Sequence, residues 1–181
     1  MARKALCWRV RCLRERCEMG IVLIRVDDRL VHGQIVEAWA PFCKATRVIV
    51  ASDTVKNNLI QKTAIESCSS KALAIKVESI EETLRDLILE DMNKERIIII
   101  FSTLKELLQA YNKGFVFSNV NIGNIHHRDA NQGGREITPS VYIDKEDEGI
   151  LQYLLKQGVR LDIRSVPSDK PVDMLKAGVE N

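Results

Sequence analysis

The chain has 181 residues, of which 45% are hydrophobic and 29% charged, and its formal net charge is +2 at pH 7. That is enough for one domain with a real core and too little for two independent enzymatic domains. The longest apolar run, Ile97 to Phe101, falls far short of the roughly 20 residues of a membrane-spanning helix.

Charge is unevenly spread. Residues 1–18 hold six Lys/Arg against Glu15 and Glu18, a net +4 that leaves the remainder at −2. A nucleic-acid-binding domain carries its basic excess in the folded part, so no nucleic-acid partner is expected. Cys7, Cys12 and Cys17 recur every five residues, which fits neither a zinc site nor a compact disulfide framework. The five cysteines read as reduced thiols of a cytosolic protein. Residues 1–18 form a basic N-terminal extension, expected to be disordered or to stem from a start placed upstream of Met19. Residues 19–181 form the domain.

Ile21 to Val26, Arg47 to Ala51, Ala72 to Val77 and Arg96 to Phe101 are short Ile/Val-rich runs with little alternation, as in parallel strands buried on both faces. After Ser79, the residues Ile80, Leu84, Leu87 and Ile88 make one apolar helical stripe. Ser79 with Glu82 and Thr103 with Glu106 have capping-box spacing. Gly114 and Gly158 follow helical stretches where a left-handed cap is easily adopted. A strand near Val120 to Ile122, a polar loop from Gly123 to Gly134 and a strand near Val141 to Ile143 come next. They precede a helix from about Asp144 to Gln157, a strand from Val159 to Arg164 and a short helix near Val172 to Ala177. This alternation predicts a single α/β domain with a mostly parallel open sheet and helices on both faces. Ligands of such sheets bind beyond the carboxyl ends of the strands.

That rule points to Arg25-Val26-Asp27-Asp28-Arg29-Leu30-Val31-His32-Gly33-Gln34, between the first strand and a helix to about Trp39. An imidazole is a nucleophile unprotonated near neutral pH, and His32 is the only histidine before residue 126. A phosphorylated imidazole carries close to two negative charges, which Arg29 and the backbone N–H groups of the following helix can receive. Gly33 lets a backbone approach without a side-chain clash. Asp27 or Asp28 is placed to hold the imidazole tautomer. Residue types alone are equally met by a surface ion-pair cluster in which His32 merely begins a helix.

The stretch 25–34 resembles the active-site signature of the mannose/fructose/sorbose family of phosphotransferase IIB subunits. Asn121-Ile122-Gly123-Asn124-Ile125-His126, Gly158 to Arg164 and Pro167-Ser168-Asp169-Lys170-Pro171 are similar to further motifs of that family, in family order over residues 19–177. The resemblance implies a cytoplasmic phosphocarrier, peripheral to the membrane through a transporter. It would accept phosphate on His32 from a IIA protein and deliver it to a sugar held by IIC and IID membrane subunits. It also implies that Arg29 contacts the phosphoryl group and Asp27 positions His32. Gly33 and Gln34 match the family pattern without a defined contact, and neither metal nor organic cofactor is implied. The δ nitrogen of His32 is the one the family pattern favours.

His126 is a candidate site contact. His127 reads as part of a solvent-exposed polar loop, Arg128 and Arg135 are candidates for attracting an acidic or phosphorylated partner although isolated loop arginines are usually only solvated charge, and Trp39 and Phe42 read as core or interface residues. Cys43 and Cys68 read as small apolar residues packed within helices. A regulatory phosphoryl relay without sugar transport fits the same residues. A nucleotide-binding protein does not, because the loop has one glycine and matches neither phosphate-binding fingerprint. The sugar, and the choice between monomer and homodimer, stay open.

Overall fold

A computed structural model describes residues 20–89, 95–126 and 134–172. Residues 1–18, His127, Arg128 and most of the helix expected near Val172 to Ala177 lie outside the described residues.

Six parallel strands form the sheet: β1 (Ile21–Asp27), β2 (Arg47–Ala51), β3 (Ala74–Glu78), β4 (Ile97–Phe101), β5 (Asn119–Asn124) and β8 (Arg160–Ile163). Their spatial order is β3-β2-β4-β1-β5-β8, and β6 (Arg135–Thr138) and β7 (Val141–Ile143) make a separate antiparallel hairpin. The helices are α1 (a π-type segment Gln34–Trp39 running into Ala40–Cys43), α2 (Asp53–Asn57), α3 (Leu59–Glu66), α4 (Ile80–Leu89), α5 (Leu104–Asn112) and α6 (Lys145–Lys156).

The strand β4 shows why the sheet is two-sided. All five of its residues are buried; Ile97, Ile99 and Phe101 join the core beneath α4, α5 and α6, while Ile98 and Ile100 join the core beneath α1, α2 and α3. Side chains alternate across a strand, so an unbroken apolar run supplies both cores. On the α1 side the apolar surface stops at β1. Cα partners Ile100, Arg25, Asn121 and Asp162 make one register row across β4, β1, β5 and β8, and three of the four are polar.

The Ser79 capping box is reciprocal: Ser79 N–H donates to Glu82 (2.9 Å) and Glu82 N–H to Ser79 Oγ (3.1 Å). The Thr103 box is half made, because Glu106 N–H reaches Thr103 Oγ1 (3.2 Å) but the Glu106 carboxylate turns to the Ser52 and Ser102 hydroxyls. Asp144 and Asp147 form an unanticipated box at α6. Gly114 and Gly158 have φ of +99° and +82°, as their helix-end positions require.

Three expectations are corrected. The loop expected from Gly123 is strand through Asn124, and Ile125 still bridges to Val141. The residues Arg135 to Thr138, which carry no continuous apolar pattern, become a strand by pairing with β7. Cys68 lies beyond α3 and is exposed, whereas Cys43 is buried as expected. Trp39 is buried, but Phe42 is 64% exposed.

Candidate functional site

The strand β1 ends in a tight turn in which Leu30 N–H donates to Asp27 O at 3.0 Å. Leu30 has φ +58°, a conformation bulky side chains adopt rarely and at a cost of about 1–3 kcal/mol. Its side chain is nevertheless buried in the core beneath α1, and that burial offsets the strain. The turn delivers His32 to a position just before α1, where its carbonyl accepts from Ile35 N–H (2.9 Å) and Val36 N–H (3.1 Å). A π-type segment at this place is a feature that clusters at functional sites.

Asp27 is the hub. Its Oδ2 lies 3.0 Å from His32 Nε2 and accepts from Asn124 Nδ2 (2.8 Å) and from Arg25 Nε (2.9 Å) and Nη2 (2.7 Å), while Oδ1 accepts from Arg29 N–H (3.1 Å). Burial by itself pushes the Asp27 carboxyl up, but the His32 hydrogen bond, the Arg25 charge and the Asn124 amide outweigh it and hold the group below the ordinary carboxylate value. It is therefore an ionised acceptor at neutral pH. With Nε2 engaged, Nδ1 is the His32 nitrogen that makes no hydrogen bond among the described residues. The side chain of His32 is 11% exposed.

Asn124 reaches Asp27 because β5 carries an extra residue. Val26 pairs with Ile122 but Asp27 pairs with Asn124, so Gly123 is the inserted residue of a bulge, a device that re-aims a strand near a site. A Cβ at Gly123 would sit 1.9 Å from the Arg25 guanidinium carbon. Asn124 also donates to Gln34 Oε1 (3.2 Å).

The other expected residues are distributed as follows. Arg29 is exposed, and its guanidinium makes no hydrogen bond among the described residues. Gly33 is exposed with helical φ of −51° and ψ of −42°, and an added Cβ would meet only Glu37, at 4.0 Å. Asp28 serves not His32 but His126, whose N–H donates to Asp28 Oδ2 at 2.7 Å and whose Nδ1 lies 3.2 Å away. His126 thus stands at the same strand-end edge on its own carboxylate, 47% exposed. Arg135 pairs with Glu148 at 3.0 Å. Arg25 and Asn124 are the parts of the site that reading the sequence did not single out. The closeness of Arg25 to Asp27, two residues on in the same strand and so on the same face, was the available signal.

No group of three or more His, Cys, Asp or Glu among the described residues could hold a metal ion. Two concavities, of about 440 Å³ beside Ile21–Ile24 and about 730 Å³ beside Gln109 and Tyr153, do not include His32. Among the described residues no helix is long and apolar enough to cross a membrane.

Residues 21–180 match the family described as the PTS system sorbose subfamily IIB component. The chain belongs to that family. It is 30% identical over 157 residues to the sorbose-specific EIIB component of Klebsiella pneumoniae, covering 87% of this chain and 94% of the relative. It is likewise 30% identical to the fructose-specific EIIB component of Bacillus subtilis over 164 residues, covering 87% and 95%. The solved IIB domain of the Klebsiella pneumoniae sorbose permease superposes with a TM-score of 0.79 at 30% identity, over 88% of this chain and 96% of that one. The mannose-specific EIIAB component of Escherichia coli is 27% identical over 157 residues that make up 48% of its length. As a IIB component of the phosphotransferase system, this chain is thus one part of a machine for sugar phosphorylation and transport.

Proposed function

We propose that the chain is a cytoplasmic phosphocarrier that takes a phosphoryl group onto His32 Nδ1 from a phosphohistidine of a IIA protein and passes it to a sugar bound by IIC and IID membrane subunits. The observation that carries this reading is the Asp27–His32 pair at 3.0 Å, in the stretch that resembles the family's active-site signature. It leaves one imidazole nitrogen as a nucleophile and fixes the proton on the other.

In the first transfer the Nδ1 lone pair attacks phosphorus, and the bond from phosphorus to the donor imidazole breaks with its electron pair returning to that ring. In the second, a sugar hydroxyl oxygen attacks, the P–N bond breaks back onto Nδ1, and the hydroxyl proton leaves to water. Arg29 neutralises the charge on the phosphoryl group, and Asp27 balances the positive charge that develops on the imidazole. The N–H groups of Gly33 and Gln34, which precede the first intrahelical bond at Ile35, face the same anion. Gly33 keeps that approach free of a side chain, and Gln34 steadies Asn124. His32 stands in the loop beyond the carboxyl end of β1 with its side chain still partly exposed, which suits a handover between protein surfaces. A IIA partner is in keeping with the EIIAB architecture of the Escherichia coli relative.

The test is labelling from phosphoenolpyruvate through enzyme I, HPr and a cognate IIA protein. Acid-labile phosphate is expected on the native chain and absent from His32→Ala. A folded native chain that stays unlabelled beside charged IIA would refute the reading.

A further inference from the structure

Arg25 is fully buried, and its five N–H donors are all engaged. Nε and Nη2 hold Asp27 Oδ2; Nη1 reaches Asn121 Oδ1 and Arg164 O (3.3 Å), and Nη2 also reaches Ser165 O (3.1 Å). The Trp39 ring packs against the guanidinium at 5.5 Å, with Arg164 on the same ring at 5.4 Å, and Trp39 Nε1 donates to Ser165 O at 2.9 Å. Asn121 is fixed in turn, donating to Asp162 O (2.9 Å) and Arg164 O (3.2 Å).

A sheet face elsewhere filled by Val and Ile has no folding need for this arrangement. Burying an ion pair gains little stability over apolar packing of the same volume. What the arrangement does achieve is the placement of one oxygen. Arg25 grips Asp27 Oδ2 from two nitrogens, and that same oxygen lies 3.0 Å from His32 Nε2. Burial lowers the proton affinity of the guanidinium, against which Asp27 acts. The charged and titratable groups around the Arg25–Asp27 pair are His32 in the loop, and Asp162 and Arg164 on and just after β8.

We propose that Arg25 is a positioning residue for His32: by gripping Asp27 Oδ2 it keeps His32 in the Nε2–H tautomer with Nδ1 bare, and the Trp39 ring and the carbonyls of Arg164 and Ser165 hold Arg25 in that grip. Gly123 belongs to the same device, since any side chain there would displace the guanidinium. This rests on the reading of His32 as the phosphoryl acceptor, but its test does not require transfer to occur.

The experiment is the ¹⁵N spectrum of the His32 imidazole in the full unphosphorylated chain, for the wild type, Arg25→Lys and Gly123→Ala. Lysine keeps the charge but cannot grip one oxygen from two nitrogens, and the alanine keeps Arg25 while pushing it aside. The wild-type neutral ring is expected as the Nε2–H tautomer, and both variants as tautomer mixtures. Their phosphoryl-acceptance rate should fall about 10–100-fold with the KM for IIA unchanged. A variant that melts cooperatively and keeps the wild-type tautomer and rate overturns the proposal. Should neither variant fold, the wild-type spectrum decides, because a ring found as Nδ1–H overturns it outright. An ordered tautomer in a chain that accepts no phosphate would instead refute the phosphocarrier reading and leave the role of Arg25 standing.

Discussion

Replacing Asp27 by asparagine removes one charge and almost no volume, so its effect isolates the electrostatics of the hub. The two carboxylate oxygens accept five donors: Oδ2 from Arg25 twice, Asn124 and His32, and Oδ1 from Arg29 N–H. An amide offers one oxygen, so a donor meets a donor whichever way it turns. The fully buried Arg25 guanidinium also loses the counter-charge at 2.7 Å. Breaking a buried pair by removing one partner costs about 3–5 kcal/mol, which for a domain of this size lowers Tm by on the order of 10 °C. The sign with pH follows from the depressed Asp27 value. Its stabilisation is present above the ordinary carboxylate value of 3.8 and is lost as pH falls through the lower folded-state value. Urea unfolding of the wild type and Asp27→Asn from pH 7 down to pH 3 should show a gap that is widest near neutrality and narrows in acid. A loss under about 1 kcal/mol at pH 7 would place the pair among weak solvated ones and show that Asp27 does not hold a buried charge.

Glu78 is buried with one carboxylate oxygen unpartnered, and burial together with Asp86 pushes its pKa up. Stability it contributes in acid is therefore lost as pH rises, and Glu78→Gln should gain about 1 kcal/mol at pH 7 with the gain vanishing near pH 4 in the same titration. Lys44 ends α1 at φ +50° with its side chain exposed, so Lys44→Gly should raise the free energy of unfolding, read by urea titration, by about 0.5–1 kcal/mol, despite the entropy cost of glycine. Ser79→Ala removes the reciprocal cap of α4 and should cost about 1 kcal/mol. Glu82, held at about 2 first by the Ser79 N–H and then by Lys56, loses its share of that cap as pH falls from 4.5 toward 2, which thermal melts across this range will show.

The parallel sheet was legible because strands buried on both faces leave uninterrupted Ile/Val runs, and the edge that bears His32 followed from where such sheets bind. The tautomer partner was narrowed to Asp27 or Asp28 in sequence; only the turn decides that Asp27 points to His32 and Asp28 to His126. Arg25 stayed hidden because a charged residue in a strand ordinarily signals solvent. Its burial depends on Asn121, Arg164 and Ser165, roughly a hundred residues or more away in the chain. The bulge at Gly123 left no local mark either, since Ile122-Gly123-Asn124 reads equally well as the start of a loop. The strand β6 owes its conformation to pairing with β7 rather than to an apolar pattern of its own.

The most direct test of His32 Nδ1 as the phosphoryl acceptor is to phosphorylate the ¹⁵N-labelled chain through enzyme I, HPr and IIA and read the phosphorus–nitrogen coupling on the imidazoles. Phosphorus on Nδ1 of His32, with Nε2 still protonated, and none on His32→Ala, is the predicted result. Phosphorus on Nε2 of His32, or on His126 or His127, would contradict it.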